Sequence, residues 1–142
     1  MTAASASEEA TATPDLELKL PARAENVAVV RHAFGGFAEI LPVDEQTLAD
    51  IKLAVTEACT NVVIHAYEAD NPGELEVDAT VEDGRLVVVI RDRGRGIVPR
   101  PDSPGLGLGL PLIATLAESL ELGTDDDDRT EVRMTFRLDE EE

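Results

Sequence analysis

The stretch around which the chain is organised has apolar residues at helical spacing and should form a helix from about Asp44 to Ala66. Glu57 and Asn61 lie four residues apart within it, so a helix places them one above the other on the same face. The opposite face is apolar, with steps of three and four residues: Leu48, Ile51, Val55, Ala58 and Val62. From this helix alone, the pair is either a solvated Glu–Asn pair or part of a pocket wall.

Two further stretches show the same spacing, and both should be helices. Pro42 breaks the chain before the organising helix, and Asp44 is a favourable N-cap for that helix. The apolar positions of the helix after Pro21 are Val27, Val30, Phe34, Phe37 and Leu41, and those of the later helix are Leu110, Ile113, Leu116 and Ala117.

Four stretches have the pattern of strands. Residues 15–20, 74–81 and 131–138 alternate apolar and polar side chains, and residues 86–90 form the continuous apolar run typical of a central strand. Asp83 and Gly84 predict a two-residue hairpin between two of them. Hairpins and strands with one polar face favour antiparallel pairing. We therefore predict an α/β (α+β) two-layer sandwich, with three helices on one face of a mainly antiparallel mixed sheet.

The remaining segments have little to bury. Residues 1–14 should be a disordered tail and residues 139–142 a short acidic tail, which leaves one domain at residues 15–138. The segment from Asp92 to Gly109 is rich in Gly and Pro and should be irregular.

Charge excludes some partners. Thirty acidic and twelve basic residues give a net charge of -18, which opposes binding to duplex DNA or anionic membranes and favours a basic protein partner. Cys59 is the only cysteine, so an intrachain disulfide is impossible. No apolar run approaches the ~20 residues of a membrane span, and the N-terminal residues do not resemble a secretory signal. We expect a cytoplasmic protein.

The loop after the central strand reads Asp92-Arg93-Gly94-Arg95-Gly96-Ile97. A carboxylate at the end of a strand, followed by spaced glycines, can accept a hydrogen bond from an exocyclic amine such as that of adenine. By itself the D-x-G-x-G pattern is as often an ordinary turn. Arg91, Arg93, Arg95 and Arg100 concentrate positive charge here, either to compensate a polyphosphate or to pair with the many acids.

A second glycine cluster, Gly105 to Gly109, precedes the last predicted helix and places Pro111 in its first turn. Free backbone N–H groups at a helix start bind phosphate, although a flexible loop explains the glycines equally well. The spacing matches neither a P-loop nor a Rossmann fingerprint.

Taken in order, E-x-x-x-N, D-x-G-x-G-I and G-x-G-x-G resemble the Bergerat-type ATP-binding domain shared by DNA gyrase, the Hsp90 chaperones, histidine kinases and MutL. The resemblance covers residues 15–138. Within that superfamily the chain is most similar to the bacterial anti-sigma-factor serine kinases, which carry E-A-x-T-N-x-x-x-H-[AG]-Y, as Glu57 to Tyr67 does here.

The resemblance implies a role for each matching residue. Asn61 would coordinate Mg²⁺, Glu57 would be the general base, Asp92 would bind the adenine amine and Thr130 would contact adenine. The glycines of the two loops would admit the purine and form the hinge and phosphate contacts of an ATP lid. The remaining nucleotide-binding set is Gly94, Arg95, Gly96, Ile97, Arg100, Gly105, Leu106, Gly107, Leu108 and Gly109, with Arg95 or Arg100 as the lid arginine.

Two positions of the motif stand apart. The family pattern has Gly before the last threonine, and this chain has Arg129. We interpret His65 as forming a structural hydrogen bond rather than transferring a proton.

The implied function is that of an anti-sigma factor and Mg-ATP-dependent serine kinase. It would phosphorylate an anti-sigma-factor antagonist, bind a sigma factor and form a homodimer, without direct contact to nucleic acid or membrane. Two alternatives are an ATP-binding interaction module without kinase activity and a detached histidine-kinase catalytic domain. The second is disfavoured because 142 residues leave no room for a helical hairpin with a phospho-accepting His.

Overall fold

The computed structural model describes residues 14–67, 72–94 and 104–138, and for residues 104–109 it describes the backbone only. The sheet has five strands in the spatial order β1-β2-β3-β5-β4, and all four pairings are antiparallel. The strands are β1 (Leu16–Pro21), β2 (Glu74–Glu82), β3 (Arg85–Asp92), β4 (Ser119–Thr124) and β5 (Thr130–Arg137). Between β2 and β3, Asp83 and Gly84 have φ values of 54° and 75°, as the predicted two-residue hairpin requires.

The helices in the described ranges are α1 (Ala24–Ala38), α2 (Glu45–Asn61) and α3 (Pro104–Leu116). Asp44 caps α2, because its Oδ1 accepts a hydrogen bond of 2.8 Å from the Thr47 N–H. After Asn61 the helix continues as a π-helical turn, Val62–Ala66. The predicted helix from Asp44 to Ala66 is therefore confirmed, with a change of helical type in its last turn.

The core lies between the helices and one face of the sheet. Alternate residues of β2, β3 and β5 point into it, as the alternation predicted. Its largest fully buried side chains include Phe34, Ile51, Leu75, Leu86, Ile90, Ile113 and Met134. The burial of these side chains between the helices and the sheet confirms the two-layer sandwich with helices on one face.

The prediction of irregular structure up to Gly109 is wrong for its last part, because α3 begins at Pro104. Proline suits the first helical position, where its missing N–H costs no hydrogen bond. The prediction that Pro111 lies in the first turn is also wrong, since Pro111 is the eighth residue of α3. Glycines lower helix stability by about 1 kcal/mol each but do not forbid a helix.

One strand, β4, was not predicted. It is an edge strand, and of its two apolar side chains Leu122 is 46% exposed. Because β4 has only two apolar side chains, its alternation of apolar and polar residues is too short to be distinguished from a loop.

Several predicted segments lie outside the described residues, namely 1–13, 95–103 and 139–142. Among the helices that are described, none is long and apolar enough to cross a membrane.

Candidate active site

Helix α2 carries the two residues predicted to act on phosphate. Asn61 is 4% exposed, and its Nδ2 atom is buried without a hydrogen-bond partner in the described part of the chain. An unpaired buried polar atom costs about 1–3 kcal/mol, and Nδ2 is a donor, so Asn61 is suited to a ligand that supplies an acceptor such as a phosphate oxygen. Glu57, one turn earlier, is half-buried and forms no hydrogen bond or ion pair with another described residue.

The π-helical turn directly follows Asn61. Such turns insert extra backbone into a helix and occur frequently at functional sites. The turn contains His65, whose Nε2 is also buried without a partner among the described residues. The hydrogen bond that we expected of His65 is therefore not made by Nε2.

Tyr67 joins the end of this turn to the sheet. Its hydroxyl donates a hydrogen bond of 2.8 Å to the Glu74 carbonyl at the start of β2. The same oxygen accepts one of 2.7 Å from the Arg93 N–H, just after β3. Sequence reasoning treated Tyr67 only as part of a motif and missed this bridge, for which the single signal was the tyrosine at the end of E-A-x-T-N-x-x-x-H-A-Y.

Gly94 allows the loop after β3 to pack against the end of the π-helical turn. A Cβ atom at Gly94 would collide with the carbonyl of Ala66, the last residue of the π-helical turn. The loop after β3 thus lies directly against the end of the helix that carries Asn61. This packing requires glycine whether or not a purine approaches the same backbone.

Asp92 ends β3 and is 2% exposed. Its Oδ1 accepts a hydrogen bond of 2.9 Å from the Gly94 N–H. Burial raises the pKa of this carboxyl above its ordinary value, and the hydrogen bond from Gly94 only partly offsets the effect.

Thr130 is brought beside Asp92 by strand register. The two residues are direct partners in the β3–β5 ladder, so their side chains lie on the same face of the sheet. The two residues predicted to read adenine are therefore neighbours, although 38 positions separate them in the chain, from 92 to 130.

Not every predicted residue can be placed. Arg95, Gly96, Ile97 and Arg100 lie outside the described residues. The cluster from Gly105 to Gly109 forms the first half of α3, which packs against α2.

Two of the four clustered arginines have structural partners. Arg91 forms ion pairs of 2.7 Å with Asp78 and 2.8 Å with Glu131. Arg93 donates a hydrogen bond of 3.3 Å from Nη1 to the Asp127 carbonyl. Of the two readings left open for the arginine cluster, pairing with nearby acids holds for Arg91.

The fold and this arrangement match known proteins. The model of the histidine kinase-like ATPase domain family matches residues 20–136. The chain belongs to this family. Within it, serine-protein kinase RsbW from Bacillus licheniformis is 34% identical over 125 residues, with 78% of each chain covered. Serine-protein kinase RsbW from Bacillus thuringiensis (strain Al Hakam) is 34% identical over 126 residues, again with 78% of each chain covered.

Solved structures show the same fold. The RsbU and RsbW domains of a Mycobacterium tuberculosis protein superpose with a TM-score of 0.67 at 23% identity, over 90% of this chain and 34% of the longer crystallised one. The SiaB–SiaC complex from Pseudomonas aeruginosa gives a TM-score of 0.59 at 17% identity, over 96% of this chain and 98% of that one.

These comparisons confirm that the chain is a protein serine kinase of the ATP-binding superfamily that its motifs resemble. The nucleotide that this ATPase domain binds is ATP.

Proposed function

We propose that this kinase transfers phosphate from Mg-ATP to a serine of an anti-sigma-factor antagonist, and that it also binds a sigma factor. Phosphorylation of the antagonist would decide whether the kinase is free to hold the sigma factor. The observation that carries the proposal is that half-buried Glu57 lies one helical turn before Asn61, whose buried Nδ2 donor has no acceptor in the described residues. The curated RsbW relatives, named serine-protein kinases, support the reaction class.

Each residue would have one task. Glu57 accepts the proton of the attacking serine hydroxyl, as a general base within reach of the phosphoryl group. Asp92 accepts a hydrogen bond from the adenine amine, and Thr130 contacts the same ring from the neighbouring strand. The glycines at 94 and 96 admit the purine. Of those at 105, 107 and 109, Gly105 lies at the start of α3, where a backbone N–H that the helix leaves free can contact phosphate. Arg95 or Arg100 is the lid arginine.

Asn61 would hold Mg²⁺ through its carboxamide oxygen, a hard ligand of the kind that this ion prefers. The described residues contain no cluster of three or more His, Cys, Asp or Glu suited to a metal. Phosphate oxygens and water would therefore complete the coordination. When bound, the ion would neutralise phosphate charge.

The decisive experiment replaces the base without changing its shape. In Glu57→Gln, nucleotide and sigma binding should stay near wild type, while phosphate transfer to the antagonist should fall by about 10²–10⁴-fold. Transfer is measured by single-turnover kinetics with radiolabelled ATP. Glu25→Gln is the matched control, because Glu25 is an exposed glutamate in the first turn of α1.

Two results would contradict the proposal. Undiminished transfer by Glu57→Gln would make Glu57 a surface carboxylate only. Absence of transfer by the wild type, with a verified antagonist and with sigma binding retained, would leave a binding module. Asn61→Ala tests the metal separately, because it should weaken the Mg²⁺ dependence of ATP binding.

A further inference from the structure

Ion pairs cover the sheet face opposite the helices, directly behind the proposed adenine site. At their centre is Arg129, where the family pattern has glycine. Its Nη1 lies 2.8 Å from Glu76 Oε1, and its Nε lies 2.7 Å from Asp125 Oδ2. These side chains are only 19%, 11% and 15% exposed for Arg129, Glu76 and Asp125. Water therefore screens them less than it screens ordinary surface pairs.

Arg129 also closes the turn between β4 and β5 through its backbone. Its N–H donates a hydrogen bond of 2.9 Å to Asp125 Oδ1, and its carbonyl accepts one of 2.9 Å from the Asp125 N–H. A second donor to Asp125 Oδ1, at 2.9 Å, is the Asp127 N–H. The turn is thus held from both sides, and Thr130 is the next residue after it.

A second arginine extends this network across the sheet. Arg91 on β3 pairs with Asp78 on β2 and with Glu131 on β5, next to Thr130 in the chain. Together the two arginines connect β2, β3, β5 and the β4–β5 turn. Because side chains alternate across a sheet, this network touches Asp92 and Thr130 only through the backbone.

Removal of Arg129 would take away the cation nearest to Glu76 and Asp125, and among the described residues Asp125 would keep only one ion pair, the 3.7 Å contact with Arg91 Nε. The side-chain link between Glu76 on β2 and Asp125 in the β4–β5 turn would then be lost, and the backbone hydrogen bonds of the turn would have to hold it in place. Strand register places Thr130 opposite Asp92, and this pair is the last of the β3–β5 ladder, directly next to that turn.

We propose that Arg129 is a positioning residue for base recognition, which holds Thr130 opposite Asp92 and thereby sets the preference of the kinase for ATP over GTP. The inference rests on the proposed contact of Asp92 and Thr130 with adenine. It assigns a role to the one residue of the site that departs from the family pattern.

The test measures dissociation constants for ATP and GTP by isothermal titration calorimetry with Mg²⁺ present. The ratio of the GTP constant to the ATP constant should fall about tenfold in Arg129→Ala, because one well-placed hydrogen bond is worth about that factor. In Arg129→Lys the ratio should fall less, since an ammonium group can hold one of the two carboxylates. A merely structural role would weaken both nucleotides equally and leave the ratio unchanged.

Arg133→Ala is the matched control, because Arg133 lies on β5, four residues after Arg129, and pairs with Glu121 at an exposed site. Its ratio should equal that of the wild type. Should Arg129→Ala fail to fold, Glu76→Gln removes a single partner and should lower the ratio by a smaller factor.

The outcomes separate this inference from the proposed function. A wild type that prefers ATP, together with folded Arg129→Ala and Glu76→Gln variants of unchanged ratio, overturns the role of Arg129 alone. A wild type that binds ATP and GTP equally overturns the adenine contacts of Asp92 and Thr130 and this inference with them.

Discussion

Asp92 carries a carboxylate into the edge of the core, and among the described residues its one hydrogen-bond donor is the backbone N–H of Gly94. An ionised group in such a place is poorly solvated, and burial accordingly raises its pKa. A ligand that offers a further donor would stabilise the ionised form. The same burial that costs stability therefore prepares Asp92 for an amine.

The raised pKa predicts a pH dependence of nucleotide binding. ADP should bind ionised Asp92 best, so its affinity should fall as the pH is lowered towards the raised pKa, and ADP should in turn lower that pKa. Calorimetry at successively lower pH, kept above the isoelectric point of about 4.3, measures this fall in affinity.

The contribution of Asp92 to the free energy of unfolding should change with pH in the opposite direction to ADP affinity. The folded state holds the Asp92 proton more tightly than the unfolded state, whose pKa is near 3.8. The contribution of Asp92 to the free energy of unfolding is therefore highest below that value and declines as the pH rises through the raised pKa. Asp92→Asn should remove both slopes. Identical pH profiles of the wild type and Asp92→Asn would count against the adenine role.

At the scale of elements, α2 is the most predictable part of the chain and α3 the least. The amphipathic face, the Asp44 cap and the break at Pro42 all indicate α2 locally. In α3 the glycines and Pro111 argue against a helix, and packing against α2 outweighs their low propensity. The π-helical turn had no local signal at all.

Substitution by alanine should change the free energy of unfolding in opposite directions at two glycines. A Cβ at Gly36, inside α1, meets no atom within 4 Å, whereas one at Gly94 collides with the Ala66 carbonyl. Gly36→Ala should raise the free energy of unfolding by about 0.5–1 kcal/mol. Gly94→Ala should lower it by about 1–3 kcal/mol and weaken ADP binding.

Urea unfolding at constant m-value measures both changes. Gly123→Ala is the control for the collision at Gly94, because a Cβ at Gly123, in β4, meets no atom within 4 Å and should not lower the free energy of unfolding. A stable Gly94→Ala variant with normal ADP affinity would show that the loop after β3 does not need its close approach to α2.

For the whole molecule the dominant property is the net charge of -18. Such a field steers basic surfaces towards the protein and acts mainly on the association rate. We further propose that the kinase is a homodimer, which would double the charge that an approaching sigma factor meets.

The predicted consequence is a salt-dependent association. The on-rate of sigma binding, measured by stopped-flow fluorescence, should fall about tenfold or more between low and high salt, while the off-rate changes less. Sedimentation at the same protein concentrations tests the dimer. A salt-independent on-rate would exclude electrostatic steering, and a monomer would exclude the dimer.

The sequence by itself indicated the three helices, apart from the start of α3 and the π-helical turn, all described strands but β4, and the motifs on which the proposed site rests. Helical and strand periodicity depend on near neighbours in the chain, and the order of E-x-x-x-N, D-x-G-x-G-I and G-x-G-x-G depends on spacing alone. Only the tertiary structure decided that Thr130 lies opposite Asp92, that Tyr67 bridges Glu74 and Arg93, and that Arg129 holds Glu76 and Asp125. Nearly all of these contacts depend on strand register or on how the end of α2 meets the sheet. Neither leaves a periodic signal along the chain.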